Sequence, residues 1–390
     1  MRIFTVFIAL AISVGLGIAT ISLSPVVAHV NAQPNCPNSQ PATAEALNQQ
    51  AHISDNIRKA HSFATGKGIK VAVIDTGVAN HPRLGGIING GDLLGHGNSY
   101  DDCDGHGTIV AGIIAARPGD DDIIGVAPDA QIISIRQSSS LLHRADNPHV
   151  SGTLDTLGDA IVLAVEQGAQ VINTSVVACI PPGTPDVDTT SFDAAIHRAE
   201  EAGVVIVSSL GNTTPECPQN STIYPAHHPL VLGVGANVDP YYQTDYTLVT
   251  PHKHLSALGS CPAGLSPRGD GMTMGLLQGQ NFTPFEGTSF AAPAVSGLVA
   301  LIKQRYPHYS PAQLREYLFA AVDPSTGFID IPHALGLIDA YPIPKPDYQP
   351  QALVVEKQTP RVFIKHTALF FGIIAGLIFF FIIAAEKFRR

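Results

Sequence analysis

The chain has 390 residues, of which 45% are hydrophobic and 14% charged, so it can bury a large core and is not a disordered linker. Its 22 basic residues against 32 acidic ones give a net charge of −10. That balance argues against a nucleic-acid-binding protein, which would need a basic face for the phosphates. The 36 glycines and 30 prolines indicate many tight turns.

Residues 1–32 are predicted to be a secretory signal peptide. Arg2 precedes an apolar stretch, Ile3–Leu23, and small residues follow it, so cleavage after Ala28 or Ala32 fits the pattern. The apolar stretch is longer than the ~7–15 residues of a usual signal core, so an uncleaved membrane anchor is the alternative.

The middle of the chain has the pattern of an α/β protein. Residues 33–62 are a polar extension with one predicted helix at Thr43–Gln50, and from Ile69 short β-branched runs alternate with helices. This alternation is typical of a parallel sheet covered on both faces. The predicted strands are Ile69–Ile74, Ile132–Ile135, Val171–Ile172, Val204–Val207 and Val231–Val234. The predicted helices are Leu154–Gln167, Phe192–Ala202, Phe290–Gln304 and Gln313–Ala321.

The C-terminal segment is predicted to tether the protein to a membrane. Residues 341–366 form a proline-rich spacer, and Thr367–Ala385 contains no charge. At ~1.5 Å per residue this segment covers ~28 Å, close to the apolar thickness of a bilayer. The basic tail, residues 386–390, is expected to stay in the cytoplasm. The sequence thus predicts a single-pass membrane protein with residues from about 33 to 365 outside the membrane. An intracellular processing enzyme is the alternative that both apolar ends disfavour.

The cysteines are consistent with an oxidising compartment. They are five in number, which suggests two disulfides and one free thiol without fixing the pairs: Cys36, Cys103, Cys179, Cys217 and Cys261. No Cys-x-x-Cys occurs, so a structural zinc site is not expected. No metal site and no cofactor are predicted for this chain.

Asp75 is the first candidate for chemistry. It directly follows the strand Ile69–Ile74 and precedes Thr76-Gly77, and ligands of a parallel sheet bind beyond the carboxyl ends of its strands. Asp-Thr-Gly alone also fits a simple turn. An aspartic protease is disfavoured because no second such tripeptide appears.

Two further candidates begin apolar helices. His106 lies between Gly105 and Gly107, and Ser289 follows Gly287-Thr288. Each residue alone also fits an ordinary capping residue, although a helix N-terminus offers free N–H groups to a developing oxyanion. Together with Asp75 they give the chain order Asp, His, Ser, which is the order of the subtilisin triad.

On these residues the chain resembles the subtilisin-like serine proteases. The resemblance spans about Gly68 to Ile338, and its matching segments are Val71–Val78, Asp104–Ala115, Gly125–Pro128, Val171–Ser175 and Gly287–Pro293. It implies a three-layer α/β protease domain with a mostly parallel central sheet, expected at residues 63–340. In that domain Ser289 attacks the peptide carbonyl, His106 takes its proton and Asp75 orients the imidazole.

The same resemblance implies roles for three further residues. Asn212 is expected in the oxyanion hole, although it also fits a turn residue with positive φ. Ser175 and Val176 are expected to pair with the substrate backbone. Val176-Val177-Ala178 stands where Leu-Gly-Gly is common in the family, so the substrate preference stays open.

The whole architecture resembles the mycosins, which are membrane-anchored proteases of type VII secretion systems. That resemblance implies the disulfides Cys36–Cys103 and Cys179–Cys217, leaves Cys261 unpaired, and makes residues 33–62 a strap rather than a removable prodomain. It implies an extracytoplasmic serine endopeptidase acting on secreted or envelope protein, in association with a type VII secretion membrane complex. The alternative is a mainly structural component that stabilises a secretion complex, with proteolysis secondary.

Four segments are expected to lie at the surface. Asp101–Asp104 and Asp120–Asp122 are predicted to be solvated acidic loops rather than calcium sites. Gln137–Gly152 and Asp239–Pro284 are predicted to be long insertions, which either dock a partner, gate the substrate, or serve as plain surface loops.

Overall fold

The computed structural model describes residues 36–147 and 151–337. The predicted signal peptide, proline-rich spacer, membrane helix and basic tail lie outside the described residues. Between residues 36 and 147, and between 151 and 337, no helix is both long enough and apolar enough to cross a bilayer.

The strands of the described residues are numbered in chain order. They are β1 (Asn38–Pro41), β2 (Lys70–Asp75), β3 (Ile87–Asp92), β4 (Gln131–Arg136), β5 (Val171–Thr174), β6 (Ala178–Ile180), β7 (Val205–Ser209), β8 (Thr222–Tyr224), β9 (Leu232–Asp239), β10 (Tyr242–Gln243), β11 (Leu255–Leu258), β12 (Gly264–Leu265), β13 (Met272–Gln278) and β14 (Asn281–Pro284). The helices are α1 (Ala44–Ala60), α2 (His106–Ala115), α3 (Leu154–Glu166), α4 (Thr190–Glu201), α5 (Thr288–Arg305), α6 (Pro311–Ala321) and α7 (Ile331–Leu337).

An eight-stranded sheet forms the centre of the domain. Its order is β10-β9-β7-β5-β2-β4-β3, and β11 pairs with β9. Only β10 runs antiparallel to its neighbour, so the expected mostly parallel sheet is confirmed. Because the strands run in one direction, the residues that follow β2, β5 and β7 meet at one edge of the sheet.

Helices cover both faces of this sheet. On one face α3 and α4 bury an apolar cluster with the strands, in which Phe192 and Ile161 of the helices pack near Ile74 and Ile172 of the sheet. Burying each such side chain contributes about 1.5–3 kcal/mol. On the other face α5 packs on β5, β7 and β9, and α2 packs on β2 and α5. The three-layer subtilisin-like arrangement follows.

The N-terminal extension is more ordered than the sequence predicted. Its helix α1 begins after Thr43, whose hydroxyl accepts the Ala46 N–H, but it continues to Ala60 instead of ending at Gln50. The longer helix is stabilised by tertiary packing, since it buries Ile57 and lies against α7. Ser54 also exchanges hydrogen bonds with the backbone of Ile124.

Two strands and two disulfides fix the extension and the cleft region. Strand β1 pairs antiparallel with β13, and Cys36 is joined to Cys103. A second disulfide joins Cys179 to Cys217, while Cys261 is free and buried. The pairs are those that the mycosin resemblance implied.

The insertion at residues 239–284 is not a plain loop. It contains β10 to β14, and β12, β13 and β14 form a small sheet with β1 of the extension. Strands β12 and β14 have only two and four residues and give a weak sequence pattern. Strand β1, which pairs with β13, lies more than 200 residues earlier in the chain.

Candidate active site

Asp75 and His106 form a buried pair at the carboxyl end of β2. Asp75 is fully buried, and its Oδ1 accepts hydrogen bonds from His106 Nδ1 at 2.7 Å and from the Thr76 N–H at 2.8 Å. His106 is the first residue of α2, and its side chain remains 28% exposed. One ring nitrogen therefore faces the carboxylate while the imidazole keeps access to the cleft.

A glycine permits the close approach of α2 to the loop after β2. A Cβ added to Gly107 would lie 2.0 Å from the Gly77 carbonyl oxygen and 3.0 Å from the Asp75 Cβ. Any side chain at this position would push the helix away from the strand. The contact between His106 and Asp75 depends on this missing side chain.

Ser289 lies in the first turn of α5. The preceding Gly287 has φ 147°, a conformation that favours glycine, and a Cβ there would lie 2.8 Å from Asn212 Nδ2. The Ser289 hydroxyl donates to the Ser175 carbonyl oxygen at 2.9 Å. Among the described residues there is no hydrogen bond between Ser289 and His106, although both line one cleft.

A proline in α5 changes the surroundings of the Ser289 backbone. Pro293 has no N–H, so the Ser289 carbonyl oxygen lacks its usual partner four residues later. The Ser175 hydroxyl donates to this oxygen at 2.8 Å. Asn173 Nδ2 donates in turn to the Ser175 hydroxyl, and Asn173 Oδ1 accepts from Ser296. This buried network ties α5 to β5 beneath the candidate nucleophile.

Asn212 is oriented by the residue before Ser289. Its Oδ1 accepts from the Thr288 N–H at 3.1 Å and from the Thr288 hydroxyl at 3.0 Å. The amide nitrogen is then left as the donor on the side of the cleft. Since the first N–H groups of a helix have no partner within it, Asn212 Nδ2 and the Ser289 N–H can bind one oxyanion together.

The cleft has a volume of about 700 Å³. Ser175 and Val176 follow β5 and line it, with the Ser175 side chain turned toward α5. The contact from Ser175 to the backbone of Ser289 was not expected from the sequence. The lining is mainly apolar and hydroxyl-bearing, including Leu154, Leu157, Val177, Ala178, Leu276, Thr283, Pro284, Phe285 and Phe290.

The charges around His106 favour its protonated form. Burial by itself lowers the pKa of His106, but the Asp75 charge and hydrogen bond, with the charges of Asp102 and Asp104, raise that pKa above its ordinary 6.5. The Phe290 ring lies beside the imidazole, with 5.3 Å between the ring centroids. A raised pKa makes His106 a stronger base when neutral.

The expectation of a solvated acidic loop at Asp101–Asp104 was wrong for Asp102. Asp102 is 2% exposed and accepts from the Thr76 hydroxyl, the Gly105 N–H, and the N–H and hydroxyl of Thr108. Burial raises the pKa of Asp102 to about 6, and the Asp75 charge adds to the shift. Asp102 lies four positions before His106, and the N-cap position of α2 is held by Gly105, so no local capping pattern in the sequence indicated this role.

The free cysteine and the metal-binding residue types are two further candidate sources of chemistry. Burial raises the pKa of the Cys261 thiol to about 12, so it stays protonated and unreactive. Over residues 36–147 and 151–337, no three His, Cys, Asp or Glu side chains converge into a set that could hold a metal ion.

Comparisons with known proteins agree with this geometry. Residues 66–337 match the sequence profile of the subtilase family of peptidases. Mycosin-4 of Mycobacterium tuberculosis is 39% identical over 306 residues, which cover 74% of this chain and 67% of the relative.

Solved structures give the same picture. A crystal structure of MycP1 from the ESX-1 type VII secretion system superposes with a TM-score of 0.70 at 32% identity, covering 78% of this chain and 90% of the other. A chain in the periplasmic assembly of the ESX-5 inner membrane complex superposes with a TM-score of 0.71 at 31% identity, covering 84% and 94%.

Proposed function

This chain belongs to the subtilase family and is a serine protease, and from that premise we propose that it cleaves proteins outside the cytoplasmic membrane through Asp75, His106 and Ser289. The observation that carries the assignment is the 2.7 Å hydrogen bond between Asp75 and His106 in a cleft that also exposes Ser289.

The reaction begins with movement of the Ser289 hydroxyl. At rest it donates to the Ser175 carbonyl, and rotation about the Cα–Cβ bond brings it toward His106. Catalytic hydrogen bonds often tighten only when substrate is bound. Ser289 Oγ then attacks the peptide carbonyl carbon while His106 Nε2 takes the hydroxyl proton, and Asp75 stabilises the imidazolium.

The second half of the reaction returns that proton. The tetrahedral oxyanion is bound by Asn212 Nδ2 and the Ser289 N–H. His106 protonates the leaving amine as the C–N bond breaks, which leaves an acyl-enzyme on Ser289. Water then attacks the acyl carbon with His106 again as base, releasing the acid and restoring the hydroxyl.

Substrate is held in extended form along the cleft. We assign backbone pairing to the segment Ser175–Val176, which follows β5 and lies beside Ser289. Apolar residues such as Leu157 and Val177 offer pockets for apolar substrate side chains.

The protein acts in a cell envelope, in association with a type VII secretion membrane complex. The similarity to mycosins and to a chain of the ESX-5 inner membrane complex supports this assignment. The uncharged segment Thr367–Ala385 supplies the membrane tether, and the two disulfides fit an oxidising compartment.

One labelling experiment tests mechanism and location together. The full chain, expressed in intact spheroplasts, is treated with a fluorophosphonate probe that cannot cross membranes, and the membranes are then collected. We expect a labelled band in the membrane fraction that disappears in Ser289→Ala.

The matched control is Ser62→Ala, an exposed serine outside the cleft that should label like the wild type. Labelling of Ser289→Ala at the wild-type rate would contradict the nucleophile. Labelling that requires lysed cells would contradict the extracytoplasmic location, and a labelled band in the soluble fraction would contradict the tether.

A structural role in a secretion complex is a second candidate function. One support is the superposition with a chain of the ESX-5 inner membrane complex, which covers 84% of this chain. The other is the strap, residues 33–62, which is fixed to the domain by a strand pairing and a disulfide. The two functions are compatible, because the strap and the cleft use different residues.

A further inference from the structure

We propose that Asp102 is a positioning residue of this active site: a buried carboxylate that fixes the turn carrying His106 and places a second negative charge behind the Asp75–His106 pair. The inference rests on the proposed function for its kinetic readout. It adds to the three residues of the triad a fourth residue that does not touch the substrate.

The four contacts of Asp102 all lead to residues around the triad. Its Oδ1 lies 2.8 Å from the Gly105 nitrogen and its Oδ2 lies 2.8 Å from the Thr108 nitrogen. These N–H groups lie on either side of His106, so the carboxylate fixes the start of α2. The Thr108 hydroxyl donates to the same Oδ2.

Thr76 connects the two buried carboxylates. Its hydroxyl oxygen lies 2.7 Å from Asp102 Oδ1 and 3.3 Å from Asp75 Oδ1, and it can donate one proton only. The shorter distance assigns that proton to Asp102. The hydroxyl oxygen in turn accepts the Gly107 N–H at 3.1 Å, which adds another tie to the first turn of α2.

The loop around Asp102 is anchored from several elements. Cys103 is bonded to Cys36 of the extension, and Arg268 donates to the carbonyl oxygens of Asp102 and Cys103. Arg136 at the end of β4 donates to the Asp101 carbonyl oxygen. Movement of this loop is opposed from three sides, so the position of Asp102 is well defined.

The charged groups near His106 are three carboxylates, which act on its pKa, and two arginines, which bind the backbone of the loop. Asp75, Asp102 and Asp104 each raise the pKa of His106, while Arg268 and Arg136 meet backbone carbonyls of the loop. Asp104 is half-buried at the cleft, where Ser139 and Ser140 bind its carboxylate. Asp102 differs because it is buried and accepts hydrogen bonds from residues on both sides of His106.

The Asp102 charge affects the pH dependence of activity in a defined direction. Only neutral His106 can accept the Ser289 proton, so activity falls as the pH drops through the pKa of His106, which lies above 6.5. Removing the Asp102 charge removes one of the causes that raise this pKa. The acid limb of the pH profile must then move to lower pH.

The test uses the full chain and the rate of fluorophosphonate labelling as a function of pH. In Asp102→Asn we expect the midpoint of the acid limb at lower pH than in the wild type. We also expect a lower rate on the alkaline plateau, by up to about 10²-fold, because His106 is less well positioned. A purely structural role would lower the plateau and leave the midpoint where it is.

Asp101→Asn is the matched control, since Asp101 is exposed in the same loop and should keep the wild-type midpoint and plateau. A midpoint in Asp102→Asn equal to that of the wild type would overturn the proposal. Should that variant fail to fold by its circular dichroism spectrum, Thr108→Val replaces it. This substitution removes one donor that lowers the pKa of Asp102, and we expect a smaller midpoint shift of the same sign.

A second measurement separates this inference from the proposed function. Exchange of the His106 C2–H with deuterium, followed by mass spectrometry against pH, reports the titration of the ring without any catalysis. If the wild type itself fails to label, the proposed function fails, and the exchange midpoints of wild type and Asp102→Asn still decide the role of Asp102. Equal exchange midpoints would overturn it.

Discussion

Asn212 illustrates how a neighbour decides what a single side chain can do. Both Thr288 donors occupy its Oδ1, which leaves the amide nitrogen free to donate into the cleft. In the same way the Ser175 hydroxyl occupies the Ser289 carbonyl oxygen that Pro293 leaves without a helical partner. The chemistry of the site therefore depends on contacts between protein residues as well as on contacts with the substrate.

At this scale we expect Asn212→Ala to lower kcat by about 10²–10³-fold with little change in KM, because the lost donor acts on the oxyanion. Steady-state cleavage of a peptide substrate by the full chain measures both constants. Asn212→Asp keeps an acceptor for Thr288 but loses the donor, so it should show a comparable loss of kcat. Asn281→Ala, an exposed change outside the cleft, is the control. An unchanged kcat in Asn212→Ala would remove Asn212 from the mechanism.

At the scale of elements, the site depends on how closely α2 and α5 approach the sheet. Most of the elements could be predicted, because β-branched runs and apolar helical spacing are local signals: α3 was expected at Leu154–Gln167 and ends at Glu166. The full length of α1 and the strands β12 to β14 could not be predicted from the sequence. Their stability comes from pairing between distant segments, such as β1 with β13, rather than from local propensity.

Gly107→Ala tests the approach of α2 to β2. The new Cβ would lie 2.0 Å from the Gly77 carbonyl oxygen, so the helix must shift and carry His106 away from Asp75. We expect the fluorophosphonate labelling rate to fall by about 10²-fold or more, since displacements near 1 Å are enough for that loss. Gly336→Ala in α7, where nothing lies within 4 Å of the new Cβ, should label like the wild type. Normal labelling of Gly107→Ala would show that the helix adapts.

At the scale of the whole molecule, the extension and the catalytic cleft are joined. The strap reaches the site at Cys103, which lies next to Asp102, and it also pairs with β13, whose Leu276 lines the cleft. A segment that served only as an inhibitor would have no need of a disulfide to the loop that carries His106. This arrangement is compatible with a protease that is also a stable part of a larger assembly.

Measuring secretion by living cells distinguishes the two candidate functions of this protein. If the protein also stabilises a secretion complex, a strain carrying Ser289→Ala should still secrete, while deletion of the whole chain should stop secretion and reduce the amount of complex. Proteomic comparison of secreted proteins and a native gel of the membrane fraction measure these outcomes. Equal defects in the point variant and the deletion would remove the support for a structural role.

The sequence by itself determined which residue types stand at the ends of which elements. Asp75 after a buried strand, and His106 and Ser289 after glycines that open apolar helices, are patterns of local spacing, and their chain order led to the fold. Only the tertiary structure decided the burial of Asp102 and the resting hydrogen bond of Ser289. The physical reason is distance along the chain: Thr76 meets Asp102 across 26 residues and Ser289 meets Ser175 across 114. Contacts of that separation arise from packing, which no local pattern encodes.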